Sequence, residues 1–96
     1  MALTGKYIAM SKNQMVTVYV ARYVDKPKVL SFPYGDKQVS LLLSDYVMYL
    51  LDDDTPMFDK LDEGKLEKFG LRIFGSYTEA GVTKHIKDKT LMKVGD

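Results

Sequence analysis

Tyr19, Tyr23 and Phe74 are aromatic residues in strand-like segments, and Lys68, Arg72, Lys87 and Lys93 are cations in segments of the same kind. One open sheet surface carrying both sets would stack unpaired bases on its rings and neutralise phosphates with its charges. That is the chemistry of single-stranded nucleic-acid binding. His85 shares the polar parity of the last segment and would join that surface. The competing reading is that the rings cover a second core layer or a dimer interface while the lysines are solvated, because aromatic side chains are mostly packing residues.

Asp52, Asp53 and Asp54 form the second chemical feature. Three adjacent carboxylates could hold a hard cation through oxygen ligands. An EF-hand counted from Asp52 would need glycine where Met57 stands and carries a proline, Pro56, in its fifth position, although Glu63 fits the twelfth. No metal is therefore expected. The run reads instead as a solvated junction, a shield against indiscriminate nucleic-acid contact, or a contact for a basic host or partner protein.

Catalytic chemistry finds little purchase. His85 is the single histidine, with Lys84, Lys87 and Asp88 beside it and no neighbouring serine to activate. Zinc would lack cysteine or a second histidine. Gly70 and Gly75-Ser76 have the first part of a P-loop spacing without its lysine. The sequence points to a non-enzymatic binding protein with no cofactor.

The elements that must position these residues follow from periodicity. Lys6–Met10 is a short strand, residues 11–14 a turn, and Met15–Val24 a strand with Val16, Val18 and Val20 on one face and Thr17, Tyr19, Ala21 and Tyr23 on the other. Asp25-Lys26-Pro27 breaks the pattern. Val29–Phe32 and Lys37–Leu43 are strands flanking a turn at Pro33–Asp36.

A helix is expected at about 45–52, capped by Ser44, with Val47, Leu50 and Leu51 on one side and Tyr46 and Tyr49 beside it. Thr55-Pro56 starts a second helix, which carries Met57, Phe58 and Leu61 and stops at Gly64. These helices would bury one side on the sheet and could show tyrosines to a dimer mate or target. Residues 69–77 return to strand, residues 78–81 turn, and Val82–Val94 is one long strand or two. The fold class is α+β: an antiparallel sheet or small, partly open β-barrel of OB-like order, with a short helical insertion after the first strands.

Charge follows the same division. Residues 44–67 carry eight acids against two lysines, a net of −6, between flanks of +4 and +3 that bring the total to +1. The acidic middle would be the helical part and the basic flanks the strands. Ninety-six residues make one domain, small enough that homo-oligomerisation is a common remedy for a limited core. The absence of cysteine fits the cytoplasm, or a host cytoplasm, and no apolar run is long enough for a membrane helix. The leading expectation is single-stranded nucleic-acid binding through the aromatic and basic surface. The alternative is a protein-interaction module or inhibitor, of viral or mobile-element type, using Asp52, Asp53 and Asp54.

Overall fold

The computed structural model describes residues 3–25 and 29–95. Lys26 and Pro27, placed in the break after the second strand, lie outside the described residues. The elements are β1 (Gly5–Ser11), β2 (Gln14–Tyr23), β3 (Val29–Tyr34), β4 (Lys37–Leu42), β5 (Tyr46–Leu50), β6 (Lys60–Leu61), α1 (Glu63–Phe69), β7 (Ile73–Tyr77), α2 (Glu79–Lys87) and β8 (Leu91–Lys93).

The first hairpin is built as its residues dictate. Lys12 and Asn13 both take positive φ, 48° and 65°, as a two-residue turn of type I′ requires. Their turn fixes the register of β1 on β2 from Ser11↔Gln14 to Gly5↔Val20. β5 pairs antiparallel with the other edge of β2, from Val18↔Leu50 to Arg22↔Tyr46. Where β1 has ended, β6 takes its place in parallel. The N–H groups of Arg22 and Val24 donate to the carbonyls of Asp59 and Leu61, and the intervening Tyr23 N–H donates across the opposite edge to Asp45.

The result is an α+β fold with a six-stranded sheet, ordered β7-β5-β2-β1-β8, with β6 on the side path. All its pairs are antiparallel except β2–β6. β7 and β8 end the sheet without pairing to each other, so it is open and no barrel closes. β3 and β4 form a separate two-stranded arm that packs mainly on itself.

Both faces of the sheet are covered. Tyr7, Ala9, Val18, Val20, Met48 and Leu91 share one core with Val82 of α2, against which Phe74, Tyr77 and Ile86 pack. Tyr19, Ala21, Tyr23, Val47, Tyr49 and Leu61 share the other with Leu66 of α1, and Leu51, Phe58, Leu71 and Ile73 pack there. β2 divides its side chains between these cores by the parity its sequence sets.

Three sequence-based expectations are corrected. Residues 46–50 are a central strand and not a helix. A short apolar run suits a buried helix or a strand buried on both faces, and here pairing with β2 and β7 decides for strand. Thr55-Pro56 starts no helix. Thr55 closes a turn, accepting from the Asp52 N–H at 3.1 Å and donating its own N–H to the Asp52 carbonyl. The helix begins later, where Asp62 caps it by accepting from the Lys65 N–H at 2.8 Å. Gly64 lies inside it, and Gly70, at φ 59° and ψ 38°, supplies the left-handed stop.

Residues 78–87 are likewise not turn and strand. Thr78 accepts from the Gly81 N–H at 3.1 Å and caps α2, whose Val82 and Ile86 fall one turn apart on the buried side. Turn residues and helix caps use the same side-chain chemistry, which is why the two were confusable.

Leu61 is fully buried at the β6–α1 junction, and Leu42, on the arm, is 78 % exposed. Leu61→Ala is expected to lower the free energy of unfolding by about 2–5 kcal/mol. Leu42→Ala should change it by less than about 0.5 kcal/mol. Urea denaturation of both variants checks the assignment of the core.

Candidate functional site

The rings expected to form one stacking surface do not share a surface. Tyr19 and Tyr23 are buried in the core under α1, and Phe74 is half-buried in the core under α2, on the opposite side of the sheet. The cations divide as well. Arg72 pairs with Asp52, Lys68 lies 5.4 Å from the Phe69 ring at the end of α1, Lys87 ends α2, and Lys93 sits 6.0 Å from the Tyr7 ring. Tyr46, Val47 and Tyr49 belong to the cores too and present no row of tyrosines to a partner.

Burial of the tyrosines is supported by their hydroxyls. Tyr7 donates to the Leu3 carbonyl at 2.7 Å. Tyr19 donates to Asp59 at 2.5 Å. Tyr49 donates to the Pro56 carbonyl at 2.8 Å and accepts from the Phe58 N–H at 2.9 Å. The segment between β5 and β6 is thereby tied down over the sheet without helical structure. Tyr23 is the exception: its hydroxyl is buried with no hydrogen-bond partner among the described residues.

All four hydroxyls are pushed above the ordinary phenol range. For each, desolvation is the leading cause. Asp59 adds to it for Tyr19 through the hydrogen bond, and Asp25, Glu63 and Asp62 add to it for Tyr23.

The acids sort by what they hold. Asp52 takes Arg72 and closes the Thr55 turn, and Asp59 takes the Tyr19 hydroxyl. Asp62 caps α1, and Asp25 accepts from the Glu63 N–H at 2.5 Å. Asp53 and Asp54 are exposed in the turn after β5. Glu63 and Glu67 are exposed and make no ion pair among the described residues. They stand one helical turn apart, on the same side of α1. Lys65, between them in sequence, is engaged elsewhere: its ammonium donates to the Lys60 carbonyl at 3.2 Å and lies 5.0 Å from the Phe58 ring.

Glu63 and Glu67 border an open groove of about 310 Å³. Leu66 of α1, Leu71 and Ile73 give it an apolar lining, and Ser31 of the arm stands at its margin. An apolar lining with two unpaired carboxylates suits an amphipathic cation. Glu67 entered the sequence reading only through the acidic count, and Glu63 beyond that only as the twelfth position of the EF-hand spacing. Their relation depends on where α1 starts, and the Asp62 cap was the available signal.

Other features offer less. A smaller cavity of about 130 Å³ lies under α2 among Ala9, Met48, Phe74, His85 and Thr90. His85 Nδ1 is 2.9 Å from the Thr90 hydroxyl and its ring meets Tyr77 edge-on at 5.1 Å, so the imidazole has local partners. Gly70 ends a helix and Gly75-Ser76 lies in β7, so no phosphate cradle forms from them. Among the described residues no group of three or more histidines and acids is placed to hold a metal ion. No described helix is long and apolar enough to cross a membrane.

No protein-family model, curated protein or solved structure matches this chain.

The tyrosines make alkaline stability predictable. Tyr7, Tyr19, Tyr23 and Tyr49 hold their protons more tightly in the folded state than at the ordinary value of 10.0. Above that pH the unfolded chain releases them first. Their stabilisation is complete below about pH 10 and is lost as pH rises through the higher folded values. Denaturation midpoints should therefore be flat from about pH 8 to 9.5 and fall beyond. Tyr19→Phe should make the fall shallower.

Proposed function

We propose that this protein is a non-enzymatic interaction module that binds a basic protein partner through the layer formed by the β5–β6 segment and α1. The observation that carries this reading is the pair of carboxylates, Glu63 and Glu67, which make no ion pair among the described residues and stand beside a groove lined in part by Leu66, Leu71 and Ile73. The surrounding charge supports it. From Asp52 through the end of α1 at Phe69 the chain holds seven acids against Lys60, Lys65 and Lys68. The opposite layer, from α2 through β8, holds Lys84, Lys87, Lys89 and Lys93 against Glu79 and Asp88. The sheet thus separates an acidic side from a basic one, and a cationic partner is steered to the former.

Single-stranded nucleic acid is the weaker reading. Stacking needs exposed rings, and Tyr19 and Tyr23 are 8 % and 1 % exposed. The basic α2 side retains phosphate-compatible charge but lacks that platform.

Fluorescence anisotropy with labelled oligolysine and with a labelled single-stranded oligonucleotide discriminates the two. Oligolysine should bind, with affinity falling at least roughly threefold when salt is raised from about 0.05 to 0.5 M. A variant combining D52N, D53N, D54N, E63Q and E67Q should bind it more weakly. Oligonucleotide binding that is lost on neutralising Lys68, Arg72, Lys87 and Lys93, with no oligolysine binding, would reverse the assignment.

A further inference from the structure

We propose that the partner binds as an extended, lysine- or arginine-bearing segment that adds a strand to the outer edge of β7 and seats one cationic side chain in the groove beside Glu63 and Glu67. This rests on the basic-partner reading above and gives it a location and a binding mode.

β7 pairs with β5 on one side and with no strand among the described residues on the other. It is five residues long, enough for a short partner strand of about 17 Å. An unpaired edge offers main-chain donors and acceptors in register, which is the affinity source in strand addition. The β5–β7 ladder indicates which groups are free. Leu50 N–H donates to the Arg72 carbonyl, and Tyr49 stands opposite Ile73 and Val47 opposite Ser76. Tyr46, Met48 and Leu50 face β7, and the register shift between Met48 and Tyr49 leaves Phe74 as an extra residue in β7, so Ile73 and Ser76, three apart across that bulge, both direct their backbone groups outward.

The groove lies at the start of this edge. Ile73 belongs both to β7 and to the groove lining, and packs on the α1 side of the sheet with Leu71. Alternate side chains of an added strand fall on that side. A lysine or arginine there can lay its methylene stem along Leu66, Leu71 and Ile73 and keep its charged head beside the two carboxylates. An acidic side chain in the same place would meet Glu63 and Glu67 with like charge. Main-chain pairing thus supplies affinity, and the glutamates select the residue.

The test uses a labelled peptide alternating valine and lysine, a copy N-methylated at alternate amides, and a copy with glutamate in place of lysine. The first should bind and should protect the Ile73 and Ser76 amides from hydrogen exchange. The glutamate copy should not bind. N-methylation should weaken binding roughly tenfold or more by removing main-chain donors. E63Q/E67Q should weaken it roughly three- to tenfold, in keeping with two exposed charge pairs.

Equal binding of the N-methylated copy without protection of Ile73 and Ser76 would overturn strand addition. So would sensitivity to D52N/D53N/D54N with none to E63Q/E67Q. Either result leaves the broader basic-partner reading standing if lysine peptides still bind in preference to glutamate peptides. No binding by any lysine peptide, to protein shown folded by circular dichroism, overturns both.

Discussion

The register of β2 is the constraint on which everything else depends. Val16, Val18 and Val20 serve the core under α2, while Tyr19, Ala21 and Tyr23 serve the core under α1. A slip of one residue would exchange the two sets, setting tyrosines among the β1 and α2 side chains and valines among the hydrogen-bond acceptors that wait for hydroxyls. The two-residue turn at Lys12-Asn13 fixes one edge of β2, and β5 and β6 fix the rest. Neither helix has more than nine residues, so each depends on packing against this sheet more than on its own propensity.

Placing tyrosines in a core requires acceptors, and their supply shapes the acidic layer. The Tyr19 hydroxyl needs Asp59, and Tyr49 needs the Pro56 carbonyl and Phe58 N–H. These bonds hold an irregular segment against the sheet where a helix would otherwise have to satisfy itself. Tyr23 has no such partner among the described residues, and a buried hydroxyl left unpaired costs roughly 1–3 kcal/mol. Its ring is nonetheless packed with Leu61 and Leu66, so apolar burial offsets that loss.

Much of the first half was legible in the sequence because local rules govern it. The β1–β2 hairpin, the parity of β2 and the turn at Gly35, with φ 64°, need only alternation and turn chemistry. Residues 46–50 were not legible as a strand, since both of their neighbours in the sheet come from distant sequence. Residues 79–87 hid as a turn followed by a strand, because Thr78 and Gly81 suit a turn and Val82, Thr83 and Ile86 are β-branched, and only the sheet beneath them selects the helical period. The site suffered the same limit. The acids were visible as a run, but the groove appears only once α1 begins at Glu63 and β7 brings Ile73 beside it.

Net charge conceals this division of labour. Counting acids along residues 44–67 weighs all of them equally, yet Asp52, Asp59 and Asp62 are already bound to Arg72, the Tyr19 hydroxyl and the Lys65 N–H. A carboxylate that accepts such bonds is held in place by the fold, and an incoming cation must compete with its partners. Glu63 and Glu67 carry no comparable obligation, and Lys65 is held away by the Lys60 carbonyl and the Phe58 ring. A cation reaching them gains attraction without breaking an internal pair. The pair most distinctive in sequence, Asp53-Asp54, is exposed in a turn, where screening by salt and water leaves little energy to a single contact. Beside the groove, apolar contact and charge act on the same side chain, and that combination distinguishes a site from a solvated run.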